Sequence, residues 1–86
     1  MSMDSTNLYK VIDLDIMETK KILNEVYDAL KERGYNPTNQ LVGYLISGDP
    51  GYISSYKECR NRILEFKRED IIELMLVNFI NKKWHI

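Results

Sequence analysis

Hydrophobic residues recur at spacings of three and four from residue 16 to residue 30. Ile16, Thr19, Ile22, Leu23, Val26, Tyr27 and Leu30 share one stripe, and Glu18, Lys21, Glu25, Asp28 and Glu32 fall mostly off it. This pattern predicts a helix over about 16–33 with one face on a core. Gly34 suits the left-handed cap that ends such helices. Upstream, Leu8, Val11, Ile12, Leu14 and Ile16 alternate loosely. They fit a short strand, an extended arm or a helix start. A single strand needs a partner, which favours an arm packed on the core or paired across a dimer. Residues 1–7 are polar and aperiodic and read as a mobile tail.

The stretch 34–52, GYNPTNQLVGYLISGDPGY, holds both prolines and all four glycines, so the backbone turns sharply twice within it. Asn36 is a good N-cap, and Pro37 at the first helical position sacrifices no hydrogen bond. A second helix is predicted from residue 37 or 38 to 47. Its interior Gly43 is poor for helix by roughly 1 kcal/mol relative to Ala, which implies close approach of another backbone. Asp49-Pro50 marks the second turn, and Tyr52-Ile53 suits one helical turn. A third helix is predicted over 55–66, with Tyr56, Cys59, Ile63 and Phe66 on one narrow face ringed by charged residues, so that the helix lies on the surface. A fourth is predicted over 68–81. Glu69 and Asp70 suit its positive end, and Lys82 and Lys83 its negative end. Its middle, from Ile71 to Ile80, is apolar almost all round. A helix of that kind is buried on more than one side, and in a chain this small a second copy is the simplest cover.

The expected fold is therefore all-α: a compact bundle of about four helices with a flexible N-terminal tail, forming a homodimer. Residues 1–15 are the tail or arm, 16–81 the helical domain and 82–86 a C-terminal tail. The expected dimer interface contains Ile72, Met75, Leu76 and Phe79. With 86 residues the chain buries only about 60–65% of its unfolded surface, a thin margin that oligomerisation relieves.

Composition changes this picture little. A net charge of −1 argues against a general nucleic-acid binder. Cys59 is the sole cysteine, which excludes an intrachain disulfide and a cysteine-rich metal site. That fits a reducing cytoplasm. The N-terminus lacks the features of a secretory signal, Ser2 stands where myristoylation needs glycine, and no apolar run is long enough to span a membrane. His85 has no evident companion ligands, and nothing orients a Cys59–His85 dyad. No metal or cofactor is expected. Gly48-Asp49-Pro50-Gly51 lacks the phosphate-loop pattern. The turn near residues 47–52 raises a helix-turn-helix reading, with Lys57, Arg60 and Arg62 toward phosphates. Glu58 and Glu65 dilute that face.

The same stretch carries a family likeness. Gly34-Tyr35-Asn36-Pro37, Asn39-Gln40, Val42-Gly43-Tyr44-Leu45, Ser47-Gly48-Asp49-Pro50 and Tyr52-Ile53 resemble the signature of the IreB family of small bacterial regulatory phosphoproteins. Looser similarity continues through residues 26–32 before it, and through Cys59-Arg60 and Arg68-Glu69-Asp70-Ile71-Ile72-Glu73 after it. The resemblance implies a helical, dimeric, cytoplasmic protein without catalysis. It also implies phosphorylation of an N-terminal threonine by a membrane-anchored Ser/Thr kinase that senses the cell wall, with a cognate phosphatase and an unidentified downstream protein. Thr6, shortly before Leu8-Tyr9, resembles the acceptor, with Ser5 and Ser2 behind it. This tail has one threonine where the family pattern suggests two, and its C-terminal residues 82–86 depart from the family's usual end. The resemblance gives the signature residues Asn36, Pro37, Asn39, Gln40, Gly43, Tyr44, Gly48, Asp49, Pro50 and Tyr52 structure, not chemistry.

The expected function is that of a non-enzymatic regulatory phosphoprotein in a cell-wall stress pathway, acting through phosphorylation-controlled protein interactions. A phosphate on Thr6 adds about −1.5 to −2 charges, and Arg60, Arg62, Lys67 and Arg68 form the nearest candidate receiver. The alternative is a nucleic-acid-binding transcriptional regulator using the helix-turn-helix-like segment 37–66.

Overall fold

Among the described residues the chain forms four α-helices and two single 3-10 turns. α1 is Ser2–Glu32, α2 is Pro37–Ser47, α3 is Cys59–Ile63 and α4 is Arg68–Asn81, with 3-10 turns at Pro50–Tyr52 and Tyr56–Glu58. The computed structural model describes the backbone of residues 2–82 and the side chains of residues 16–82. Ser2, Ser5 and Thr6 therefore lie outside the described side chains. His85 and the tail segment 83–86 lie outside the described residues altogether.

α1 begins at Ser2, well ahead of the start near residue 16 that the core-facing stripe suggests. No proline or glycine interrupts residues 2–33, and Leu8, Ile12 and Ile16 continue the same four-residue spacing, so nothing in the backbone chemistry ends the helix earlier. Of the alternatives for the residues around 8–15, the backbone takes the helix. At its other end, Gly34 adopts φ +93. The Gly34 N–H then donates to the Lys31 carbonyl and the Tyr35 N–H to the Leu30 carbonyl, both at 3.0 Å. This pair of reversed bonds satisfies carbonyls that the helix itself leaves open.

The core is one cluster. Ile22, Val26, Ala29 and Leu30 of α1 meet Leu41 and Tyr44 of α2, Ile53 just after the first 3-10 turn, Cys59 and Ile63 of α3, and Ile71 of α4. Val26, Leu30, Ile53 and Cys59 are wholly buried. The apolar stripe of α1 thus forms one wall against which the other three helices lean, and each large aliphatic side chain enclosed there contributes about 1.5–3 kcal/mol.

The third helix is broken. In place of a continuous helix over 55–66, Lys57 and Glu58 take left-handed conformations, φ 50 and 62, and only Cys59–Ile63 is α-helical. Ser54 competes for the backbone there. Its hydroxyl accepts from the Tyr56 N–H at 3.1 Å, and its carbonyl accepts from the Arg60 N–H at 3.2 Å. Side-chain hydroxyls that bond nearby backbone in this way displace helix hydrogen bonds. Two consecutive non-glycine residues at positive φ cost about 1–2 kcal/mol each. Bonds on both residues hold them: Lys57 Nζ reaches Glu32 at 2.8 Å, and Glu58 accepts from Asn61 at 2.8 Å. The kink lets Cys59 and Ile63 turn fully into the core, so this helix is docked rather than superficial.

Candidate functional site

The signature stretch 36–54 is a closed set of caps and contacts. Asn36 precedes α2 in an extended conformation, and its side-chain oxygen accepts from the Asn39 N–H at 3.1 Å. Pro37 occupies the first turn and is buried. The side chain of Asn39 itself is exposed. Gln40, one turn on, crosses to the next segment, where its Oε1 accepts from the Ser54 N–H at 2.9 Å. Tyr44 is buried in the core.

Gly43 faces a ring rather than the backbone that its mid-helix position suggested. A Cβ placed there would stand 2.9 Å from both Cγ and Cε1 of Tyr52 and closer still to Cδ1. Such spacing lies inside van der Waals contact, so the ring is seated where only glycine leaves room. Gly48 ends α2 at φ 78, its N–H donating to the Tyr44 carbonyl at 2.7 Å. Asp49 then caps the following turn by accepting from the Gly51 N–H at 2.8 Å, with Pro50 at that turn's first position. Ser47 joins the two elements. Its hydroxyl donates to the Gly43 carbonyl at 2.7 Å and accepts from the Asp49 N–H at 2.9 Å. Every signature side chain whose contacts are described here serves a cap, a tether or packing.

Of the four basic residues expected to receive a phosphate, Arg60, Arg62 and Arg68 are engaged by the fold, and Lys67 is exposed. Arg60 Nε donates to the Ile53 carbonyl at 2.8 Å. Arg68 donates to the Leu45 carbonyl at 3.1 Å. Arg62 is hydrogen-bonded to Glu25, and that bond holds the Glu25 carboxyl below its ordinary range. Lys57 does the same to Glu32, and Glu32 in turn raises Lys57. Arg33 and Lys57 also flank the Tyr56 ring, at 5.6 and 5.5 Å from its centroid, within cation–π range.

These engagements bear directly on the nucleic-acid reading. The three cations assigned to phosphates, Lys57, Arg60 and Arg62, are each tied to another part of the chain. The five residues of α3 make too short a recognition helix to lie along a major groove.

Cys59 is enclosed, and burial pushes its thiol upward, away from a reactive thiolate. No group of three or more metal-ligating residues forms among the described residues, and no described helix is long and apolar enough to cross a membrane.

α4 is the surface that remains open. Its extent, Arg68–Asn81, matches the expected boundaries. Only Ile71 and Leu74 are buried against the bundle. Ile72, Met75, Leu76 and Phe79, the residues expected at an interface, are 46, 37, 58 and 53% exposed, with Val77 and Ile80 exposed beside them. Among the described residues the helix is thus covered on one side only.

From the cap at Asn36 to the open face of α4, these features sit inside one continuous match. The sequence model of the IreB regulatory phosphoprotein family spans residues 4–81, and the chain belongs to that family.

Proposed function

We propose that this regulatory phosphoprotein works as a homodimer whose N-terminal segment is the substrate of a membrane-anchored Ser/Thr kinase in a cell-wall stress pathway. The observation that carries the reading is the uncovered apolar face of α4. Exposed apolar surface of this extent on a small chain marks a protein–protein contact. The residues of the signature stretch, by contrast, support the fold. Regulation then rests on protein contacts and on the hydroxyls at the far end of α1.

Thr6 is the preferred acceptor, with Ser5 and Ser2 behind it. Phosphate there adds about −1.5 to −2 charges and three strong acceptor oxygens, which alters what the segment can bind without touching the core. A cognate phosphatase resets the state. Kinase, phosphatase and downstream protein meet the chain in the cytoplasm, and no catalysis by the chain itself is needed.

The test is an in vitro reaction with the cognate kinase, followed by mass spectrometry. Modification should fall on the N-terminal peptide, chiefly at Thr6. Thr38 and Ser47 sit at the two ends of α2, where entry into a kinase cleft requires unwinding the cap. Phosphorylation undiminished in a Ser2→Ala, Ser5→Ala, Thr6→Ala triple variant would place the site elsewhere and sink this reading.

A further inference from the structure

Between α1 and α4 lies a groove of about 380 Å³ lined by Lys20, Leu23, Asn24, Leu74, Met75, Asn78 and Lys82. Lys20 and Asn24 stand one turn apart on α1, and Lys82, the C-cap of α4, stands one turn beyond Asn78. Residues four apart share a helix face, so each helix offers the groove a lysine and a carboxamide. Leu23, Leu74 and Met75 form an apolar floor between them. No carboxylate is among the lining residues, and neither lysine belongs to an ion pair among the described residues. Asn78 uses one amide hydrogen on the Leu74 carbonyl, at 2.9 Å, and retains the other. Asp70 and Glu73 line an adjoining cleft that shares Lys20, Leu74 and Asn78 with the groove, which tempers the positive field on that side.

We propose that this groove receives the phosphorylated N-terminal segment of a second copy of the chain. The phosphate of Thr6 sits between Lys20 and Lys82. The proposal rests on the reading of Thr6 as the acceptor and of the protein as a dimer, and it supplies what that reading lacks: the place where the phosphate is read.

Three features select this occupant. The first is charge. Residues 1–9 carry Asp4 and no lysine or arginine, and phosphorylation makes the segment more negative by about 1.5 to 2 units. Lysines hold phosphate as point charges, and carboxamides add hydrogen bonds. The second is reach. α1 is one helix from Ser2 to Glu32, so Thr6 stands about 21 Å along the axis from Lys20 on the same chain. A helical α1 cannot bring its own phosphate back, which leaves the other copy. The third is position. Met75 belongs both to the groove floor and to the open apolar face of α4, so the groove opens beside the surface on which a second copy docks. A tethered partner segment there binds at high effective concentration.

The test uses a synthetic peptide of residues 1–12 with phosphate on Thr6, and its unmodified twin, titrated into the full-length protein. Fluorescence anisotropy gives affinity, and NMR shifts of backbone amides give the location. Because the phosphate is installed chemically, the result does not depend on which hydroxyl a kinase selects; the mass-spectrometric experiment decides that separately. The phosphopeptide is expected to bind at least about tenfold more tightly than its twin, since tenfold corresponds to less than one charge-assisted hydrogen bond. Shifts should centre on Lys20, Asn24, Asn78 and Lys82. A Lys20→Gln, Lys82→Gln variant with an unchanged thermal midpoint should lose that preference, and raised salt should weaken it. Equal binding of the two peptides, an undisturbed preference in the double variant, or shifts centred on Arg60 and Arg62 would each overturn the proposal. So would inorganic phosphate producing the same shifts at the same concentration, because the groove would then read an anion and not the segment.

Discussion

Arg68, the first residue of α4, closes the C-terminus of α2. Its guanidinium lies against Gly48, where a Cβ would come within 2.9 Å of Cζ, and it donates to the Leu45 carbonyl at 3.1 Å. Leu45 belongs to the last turn of α2, whose carbonyls have no partner inside the helix. One residue therefore starts a helix and caps another. Arg68→Ala should lower stability by about 1–2 kcal/mol, the worth of a charged hydrogen bond to a partly exposed carbonyl. Gly48→Ala should cost a similar amount through its positive φ alone. The double variant should lose less than the sum, since alanine at 48 already displaces the guanidinium. Urea melts of the four proteins give the coupling, and strict additivity would show that the two residues act apart.

Gly43→Leu reads the contact with Tyr52. At an exposed helix position the change would stabilise by up to about 1 kcal/mol. Here the added side chain meets the Tyr52 ring near its root, so the ring must leave its seat as a body. The expected loss is about 1–3 kcal/mol. In a Tyr52→Ala background the obstacle is gone, and the same substitution should become neutral or stabilising. A Gly43→Leu protein as stable as the parent would mean that the ring moves away at no expense.

Much of this was legible in the sequence, because the punctuation of residues 34–52 is chemical. Gly34 and Gly48 take the positive φ that turns demand, and Asn36-Pro37 and Asp49-Pro50 start elements as cap and first residue. The bounds of α2 and α4 follow from them. The break at Lys57-Glu58 was not legible. Both residues are good helix formers, and their left-handed geometry is imposed by Ser54 and by the need to bury Ile53 and Cys59 together. Nor could spacing show that Arg60, Arg62 and Arg68 would turn inward. An arginine in a periodic pattern looks the same whether it faces solvent or an acceptor 7, 23 or 37 residues away. The occupant of the space beside Gly43 was likewise a tertiary matter, set by a ring nine residues on.

The two ion pairs predict an acid-side response. Hydrogen bonds from Arg62 and Lys57 hold Glu25 and Glu32 below the usual carboxylate range. Such groups bind protons more readily in the unfolded chain, so their contribution is complete above the unfolded value of about 4.3 and is lost as pH falls through the lower folded values. Lys57 is raised by Glu32, and its contribution is complete below about 10.4 and lost as pH rises through the folded value. In a Glu25→Gln, Glu32→Gln variant the stability deficit should be largest near neutral pH and should close as the pH approaches about 2. Both pairs are solvent-exposed, so the deficit is modest and shrinks in salt. A deficit independent of pH would assign the effect of the variant to packing instead.

The open face of α4 predicts that association is broken by one charge. Leu76 is 58% exposed within the chain and lies outside the core cluster, so Leu76→Glu should leave the protomer's own packing intact. At a dimer interface the same carboxylate would be buried without a partner, and that costs several kcal/mol. With two copies of the change in a twofold contact, the dissociation constant should rise at least about a hundredfold, equivalent to about 2.7 kcal/mol. Sedimentation equilibrium at tens of micromolar should find the parent at twice the chain mass and the variant at the chain mass, with helical circular dichroism retained. Because a domain of this size has a thin margin, the variant should also melt earlier, and its midpoint should no longer depend on protein concentration as the parent's does. A parent that sediments as a monomer while fully folded, or a variant that dimerises as tightly as the parent, would show that α4's apolar face serves a different partner.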